Sequence, residues 1–126
     1  MRWLMGANLV FACLCLVAVG LQYNDPDPIR WMLLYGGGAA ATVAALHVDG
    51  GWRAAALVAL VAAAWGLYWW SGVIGHVQAT DLWRKMSEKG GKVEEYREAG
   101  GLTIVATWLA AMALVGRRHF APRPAR

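Results

Sequence analysis

The chain has 126 residues, enough for one domain, and is 59% hydrophobic but only 16% charged, against roughly 25% charged for a typical soluble protein. Its net charge is +4, yet the basic residues form no patch interleaved with aromatics, so the balance does not mark a nucleic-acid binder. Too few polar groups remain to cover a water-facing surface, and those present are bunched, which excludes an ordinary soluble fold.

The first segment, about 3–22, carries no charge beyond Arg2 at its edge. Its apolar run is longer than a signal-peptide core and no small-x-small cleavage site precedes the polar turn, so it reads as a membrane anchor. Cys13 and Cys15 lie midway along it. Residues two apart on a helix point to different sides and cannot bridge each other, so both read as small packing residues. A polar turn, Asn24-Asp25-Pro26-Asp27-Pro28, leads into the second segment, about 28–47, where Asp27 is placed to cap the helix and Pro28 to begin it. A turn containing Gly50 and Gly51 leads to the third segment, about 52–71, which is free of charge from residue 54 onward. Residues 72–92 form the one sizeable polar connection. Within it, residues 81–89 have the spacing of a short amphipathic helix, with Leu82, Trp83 and Met86 on one side and Gly90-Gly91 closing it. The last segment, about 93–117, starts among charged residues, enters the membrane near Gly101, and ends before Arg117-Arg118-His119.

Apolar runs of about 18 residues or more span a bilayer core as helices, because lipid offers backbone groups no partner outside the helix itself. The fold expected is therefore all-α: a polytopic bundle of four transmembrane helices with one short amphipathic helix in its outer loop. Small residues at Gly36–Gly38, Ala39–Ala41, Ala54–Ala56 and Ala62–Ala64 suit close helix approach. Trp3 and Trp52 are placed to mark the inner membrane interface, and Trp31, Tyr68, Trp69 and Trp70 the outer one. Trp65 and Trp108 fall deeper, between helices.

With both termini inside, the inner side carries Arg2, Arg53, Arg117, Arg118, Arg123 and Arg126 against the single acid Asp49. The outer side carries Arg30, Arg84, Lys85, Lys89, Lys92 and Arg97 among Asp25, Asp27, Asp81, Glu88, Glu94, Glu95 and Glu98. Raw Lys and Arg counts tie, but the inner charges are unopposed and close to the spans, which favours cytoplasmic termini in the cell membrane.

Two polar clusters fall on the expected outer face. One is Gln22, Asn24, Asp25 and Asp27 with Arg30, Trp31 and Tyr35 following; the other is Glu94, Glu95, Arg97 and Glu98. Helix capping, the helix dipole and pairing with Arg30 or Arg97 account for part of this charge. One capping acid per helix is enough, and the surplus carboxylates and amides have the chemistry to hold a hard cation such as Ca²⁺ or Mg²⁺. The ligand set for such an ion is Asp25, Asp27, Glu95 and Glu98, and His76 in the same loop would shift preference toward Zn²⁺. Nucleophile and metalloprotease motifs are absent, and the mid-membrane polar residues Asn8, Thr42, Thr103 and Thr107 are not ionisable, so neither a defined enzyme class nor ion transport is indicated.

Gln22-x-Asn24-Asp25-Pro26-Asp27-Pro28-x-x-Trp31-x-x-x-Tyr35, Glu94-Glu95-x-Arg97-Glu98-x-x-Gly101-Leu102 and the later Trp108 resemble the signatures of the transmembrane protein 220 family. The resemblance spans nearly the whole chain, with Tyr96 a bulky departure between Glu95 and Arg97. It implies a small four-helix membrane protein in which both clusters belong to one design, and it carries no established activity. Three readings follow. The first is a non-enzymatic membrane protein, an accessory subunit among others, that binds a cation or small polar ligand on its outer face. The second is a metal-dependent membrane enzyme using the same carboxylates. The third is a structural or assembly protein whose partners are the lipid bilayer and either another membrane protein or a second copy.

Overall fold

The computed structural model describes residues 1–85 and 88–122. Met86, expected on the amphipathic face of the outer loop, lies outside the described residues. The elements are α1 (Arg2–Leu21), α2 (Pro28–His47), α3 (Trp52–Val73) and α4 (Lys92–His119), with short 3₁₀ turns at Gln22–Asn24, Ala79–Trp83 and Glu88–Gly91. At 1.5 Å per residue the first three helices are about 30–33 Å long, the thickness of a bilayer's hydrocarbon core. All four helices are long and apolar enough to cross a membrane.

The boundaries have local causes. α1 runs into the 3₁₀ turn, then Asp25 turns extended (φ −73°, ψ 144°), because Pro26 excludes the helical region for the residue before it. α2 restarts with Pro28 in its first turn, where a missing N–H is no loss. Asp27 occupies the cap position without making a side-chain cap bond. Its carboxylate instead lies 3.1 Å from Arg30, and its N–H donates to Asp25 Oδ1 at 2.8 Å. Gly91 supplies the left-handed backbone (φ +85°) from which α4 starts.

The helices run antiparallel. α3 and α4 share the most extensive contact, α2 touches both of them, and α1 packs along α2. The α3–α4 seam matches small to large. Ala55, Ala59, Ala62 and Gly66 recur every three or four residues on α3, facing a core to which α4 contributes Leu102, Val105, Leu109 and Met112. A Cβ built on Gly66 would stand 3.4 Å from Leu102 Cβ. Apolar burial gives little driving force inside lipid, so this dense contact and interhelical hydrogen bonds hold the bundle.

The main such bonds join Asn8, Thr42 and Trp108. Asn8 Nδ2 donates to the Thr42 carbonyl oxygen at 2.9 Å, and the Thr42 hydroxyl donates to Asn8 Oδ1. Trp108 Nε1 lies 3.2 Å from Asn8 Oδ1 and 3.1 Å from Thr42 Oγ1. Trp108 also stacks on Phe11, with ring centroids 5.3 Å apart. α1 thus reaches α4 through side chains, not through close backbones. Toward the other end, Trp70 Nε1 donates to Thr103 Oγ1 at 2.8 Å.

In the α3–α4 connection the described residues form separate turns, not one continuous helix over 81–89: Arg84 is extended and Lys89 has a positive φ of 54°. The reason is Asp81. Its buried carboxylate accepts from the Gln78 N–H at 2.7 Å and from Lys89 Nζ at 2.6 Å, and lies 2.8 Å from Arg84 Nε. The Lys89 hydrogen bond, then the Gln78 amide, hold its pKa below the usual aspartate range.

Candidate functional site

α4 is 28 residues long, roughly 42 Å, which exceeds the thickness of the hydrocarbon core, and its first turns carry Glu94, Glu95, Arg97 and Glu98. They rise beside the α1–α2 link, and together they bound a cavity of about 430 Å³. Its lining includes Gln22, Asn24 and Asp25 from the link, Trp31 and Tyr35 from α2, and Glu94, Arg97 and Glu98 from α4. Glu94 and Glu98, four residues apart, share a helix side. Eight of the eleven residues expected to bind ligand therefore line one space.

The other three do not line it. Asp27 and Arg30 pair with each other at 3.1 Å, while Glu95 pairs with Lys92 at 3.0 Å and faces Gly72 of α3. Each is taken up by an i,i+3 neighbour on its own element, the shortest available route to neutralisation. His76 lies in the α3–α4 connection, where its carbonyl oxygen is 3.5 Å from Lys89 Nζ. Thus the five residues proposed as metal ligands are dispersed: Asp25 and Glu98 line the cavity, and Asp27, Glu95 and His76 do not. Among the described residues no group of three or more His, Cys, Asp or Glu comes together as an ion site.

The cavity floor is aromatic. Trp31, expected at the membrane interface, is instead buried at 3% exposure. It stacks on Trp65 (centroids 4.6 Å apart) and on Tyr35 (6.1 Å). The Arg30 guanidinium lies 5.5 Å from the Trp65 ring and 5.8 Å from the Trp31 ring, a cation–π clamp that steadies the stack. Among the described residues the buried Trp31 Nε1 has no hydrogen-bond partner, a costly state for an indole N–H. Tyr35 reaches α4 opposite Gly101, where an added Cβ would come within 3.2 Å of its hydroxyl.

Sequence patterning missed the apolar wall, Leu21 and Pro26. Their signal is position alone, Leu21 next to the polar motif and Pro26 within it. Tyr96, the bulky departure in the α4 motif, points away from the cavity lining and meets Trp70 edge-on, with centroids 5.5 Å apart.

The arrangement offers three carboxylates, one guanidinium and two side-chain amides over an aromatic floor. Such a set has the charge and the hydrogen-bonding groups that a small polar solute would require. No curated protein and no solved structure matches the chain. The family description "Transmembrane family 220, helix" matches residues 10–114, a stretch containing every lining residue of the cavity, and the chain belongs to that family of integral membrane proteins.

Proposed function

We propose that this membrane protein binds a small, positively charged polar molecule in the cavity between the α1–α2 link and the start of α4. The observation carrying the reading is that both signature motifs, 70 residues apart at Asn24 and Glu94, line one space of about 430 Å³. That volume exceeds what a bare ion occupies, and the surplus of carboxylates over guanidinium selects positive charge. Trp31 and Tyr35 give an amine-bearing solute an aromatic surface. We place the cavity on the outer face of the cell membrane, with both termini cytoplasmic, because Arg2, Arg53, Arg117 and Arg118 collect at the opposite end. The protein acts there as a binding or accessory subunit.

The test is thermal unfolding of detergent-purified protein with ethanolamine, O-phosphoethanolamine, Ca²⁺ or Mg²⁺, beside an Asp25→Asn, Glu98→Gln variant. At tenfold over Kd a ligand stabilises by about 1.4 kcal/mol. An amine probe is expected to raise the parent's unfolding temperature and to leave the double variant unmoved. Stabilisation by divalent ions alone, with stoichiometric metal by elemental analysis, would replace the amine reading with a metal site. No differential effect of any probe would return these acids to ion pairing and helix capping.

A further inference from the structure

At the end of the bundle opposite the cavity, α3 and α4 border a second space of about 390 Å³ on their outer side. Ala56 and Ala63 wall it on α3, Ala106 and Ala110 on α4, and Trp52 and Arg117 stand at its end. Alanine leaves a trough where larger side chains would fill the seam, and in a bilayer such a trough faces acyl chains. Two guanidiniums flank its aromatic end: Arg53 Cζ is 5.3 Å and Arg117 Cζ 5.8 Å from the Trp52 ring. Both arginines are exposed. Among the described residues neither is in an ion pair, and the paired acids Asp27, Asp81 and Glu95 belong to the link, the α3–α4 connection and the start of α4, at the opposite end.

We propose that this groove binds an anionic phospholipid, one acyl chain lying along the alanines and the phosphate held between Arg53 and Arg117. Guanidinium forks match phosphate oxygens in pairs, and basic pockets between membrane helices select anionic headgroups. Trp52 then sits at the level of the ester groups, where indoles concentrate. A zwitterionic lipid brings its own cation to the same pair and gains less. A second copy docked symmetrically along this groove would crowd both copies' arginines together, which like-charge repulsion opposes.

The measurement is native mass spectrometry of the full chain with equimolar phosphatidylglycerol and phosphatidylcholine of identical acyl chains. The parent is expected to retain phosphatidylglycerol at least about fivefold over phosphatidylcholine, the preference that one arginine near the headgroups supplies. Arg53→Gln with Arg117→Gln should bring the ratio near one, whereas Arg118→Gln, which changes a neighbouring charge outside the groove, should preserve the preference. Ala110→Leu, at an exposed groove position, should fill the trough and reduce retention of both lipids; it carries the test if the double variant does not fold. Equal retention by the parent, an equal loss in Arg118→Gln, or undiminished binding in Ala110→Leu would overturn the proposal. So would a dimer that Ala110→Leu dissolves, since the groove would then belong to a second copy.

Discussion

Asn8 and Thr42 are separated by 34 residues in sequence, yet each is the other's nearest source of satisfaction in an apolar interior. An amide at that depth has no water to fall back on, so its bonds fix how α1 sits on α2 and α4. Trp108 adds a third member from α4 and accounts for an indole between helices instead of at an interface. Hydrogen bonds of this kind contribute on average about 0.6 kcal/mol within membranes, and Asn8 takes part in three. Asn8→Ala is expected to cost about 1–2 kcal/mol in an SDS unfolding titration from detergent micelles. Thr42→Val should cost less, because Asn8 Oδ1 keeps the Trp108 donor. The double variant should lose less than the sum of the two, since both changes break one network. A full additive loss would mean that the three side chains do not act as a unit.

The same reasoning one level up concerns how closely helices approach. A Cβ on Gly116 would stand 2.2 Å from the Ala45 carbonyl oxygen, so the end of α4 lies directly on the backbone of α2. Gly37, in the run of three glycines on α2, has nothing within 4 Å of its hypothetical Cβ. Glycines within the helices are therefore not equivalent. Gly116→Ala is expected to destabilise by about 1–3 kcal/mol through overpacking. Gly37→Ala should be neutral or stabilising by up to about 1 kcal/mol, since it removes a flexible residue from a helix interior. The same unfolding titration reads both, and equal effects would contradict the close α2–α4 approach. The helix faces follow from this: α3 offers Ala55, Ala59 and Ala62 as the smooth side of a seam, while its Leu57 and Leu60 project into lipid.

For the molecule as a whole, charge separates along the bundle axis. The acids gather where α2 and α4 begin, and unopposed arginines gather where α3 begins and α4 ends. Each end has its own candidate ligand chemistry: a polar cavity with surplus carboxylates, and an apolar groove with surplus guanidiniums. The orientation has a direct check. A membrane-impermeant maleimide applied to intact cells is expected to label Tyr23→Cys, an exposed position in the link, and to label Arg118→Cys only after permeabilisation. The reverse pattern would turn the molecule over and place the polar cavity on the cytoplasmic side.

Composition alone determined that this chain lives in a bilayer and crosses it as helices, because four apolar runs leave their backbone groups no other solution. The breaks at Asn24–Pro28 and Gly50–Gly51 were equally legible, since proline and glycine act through their own backbone restrictions. Partition of the acids was not. Asp25, Glu94 and Glu98 line the cavity while Asp27 and Glu95 spend their charge on Arg30 and Lys92, a division set by side-chain direction and the approach of α4 to the link. Asp81 looked like one more loop charge until the fold closed Lys89, Arg84 and Gln78 around it. Trp31 read as an interface anchor and is a core residue, stacked between Trp65 and Tyr35. In water an apolar stripe reveals which helix face is buried; in lipid both faces are apolar, so the sequence carries no such contrast and only tertiary packing decides which helices meet and what lies between them.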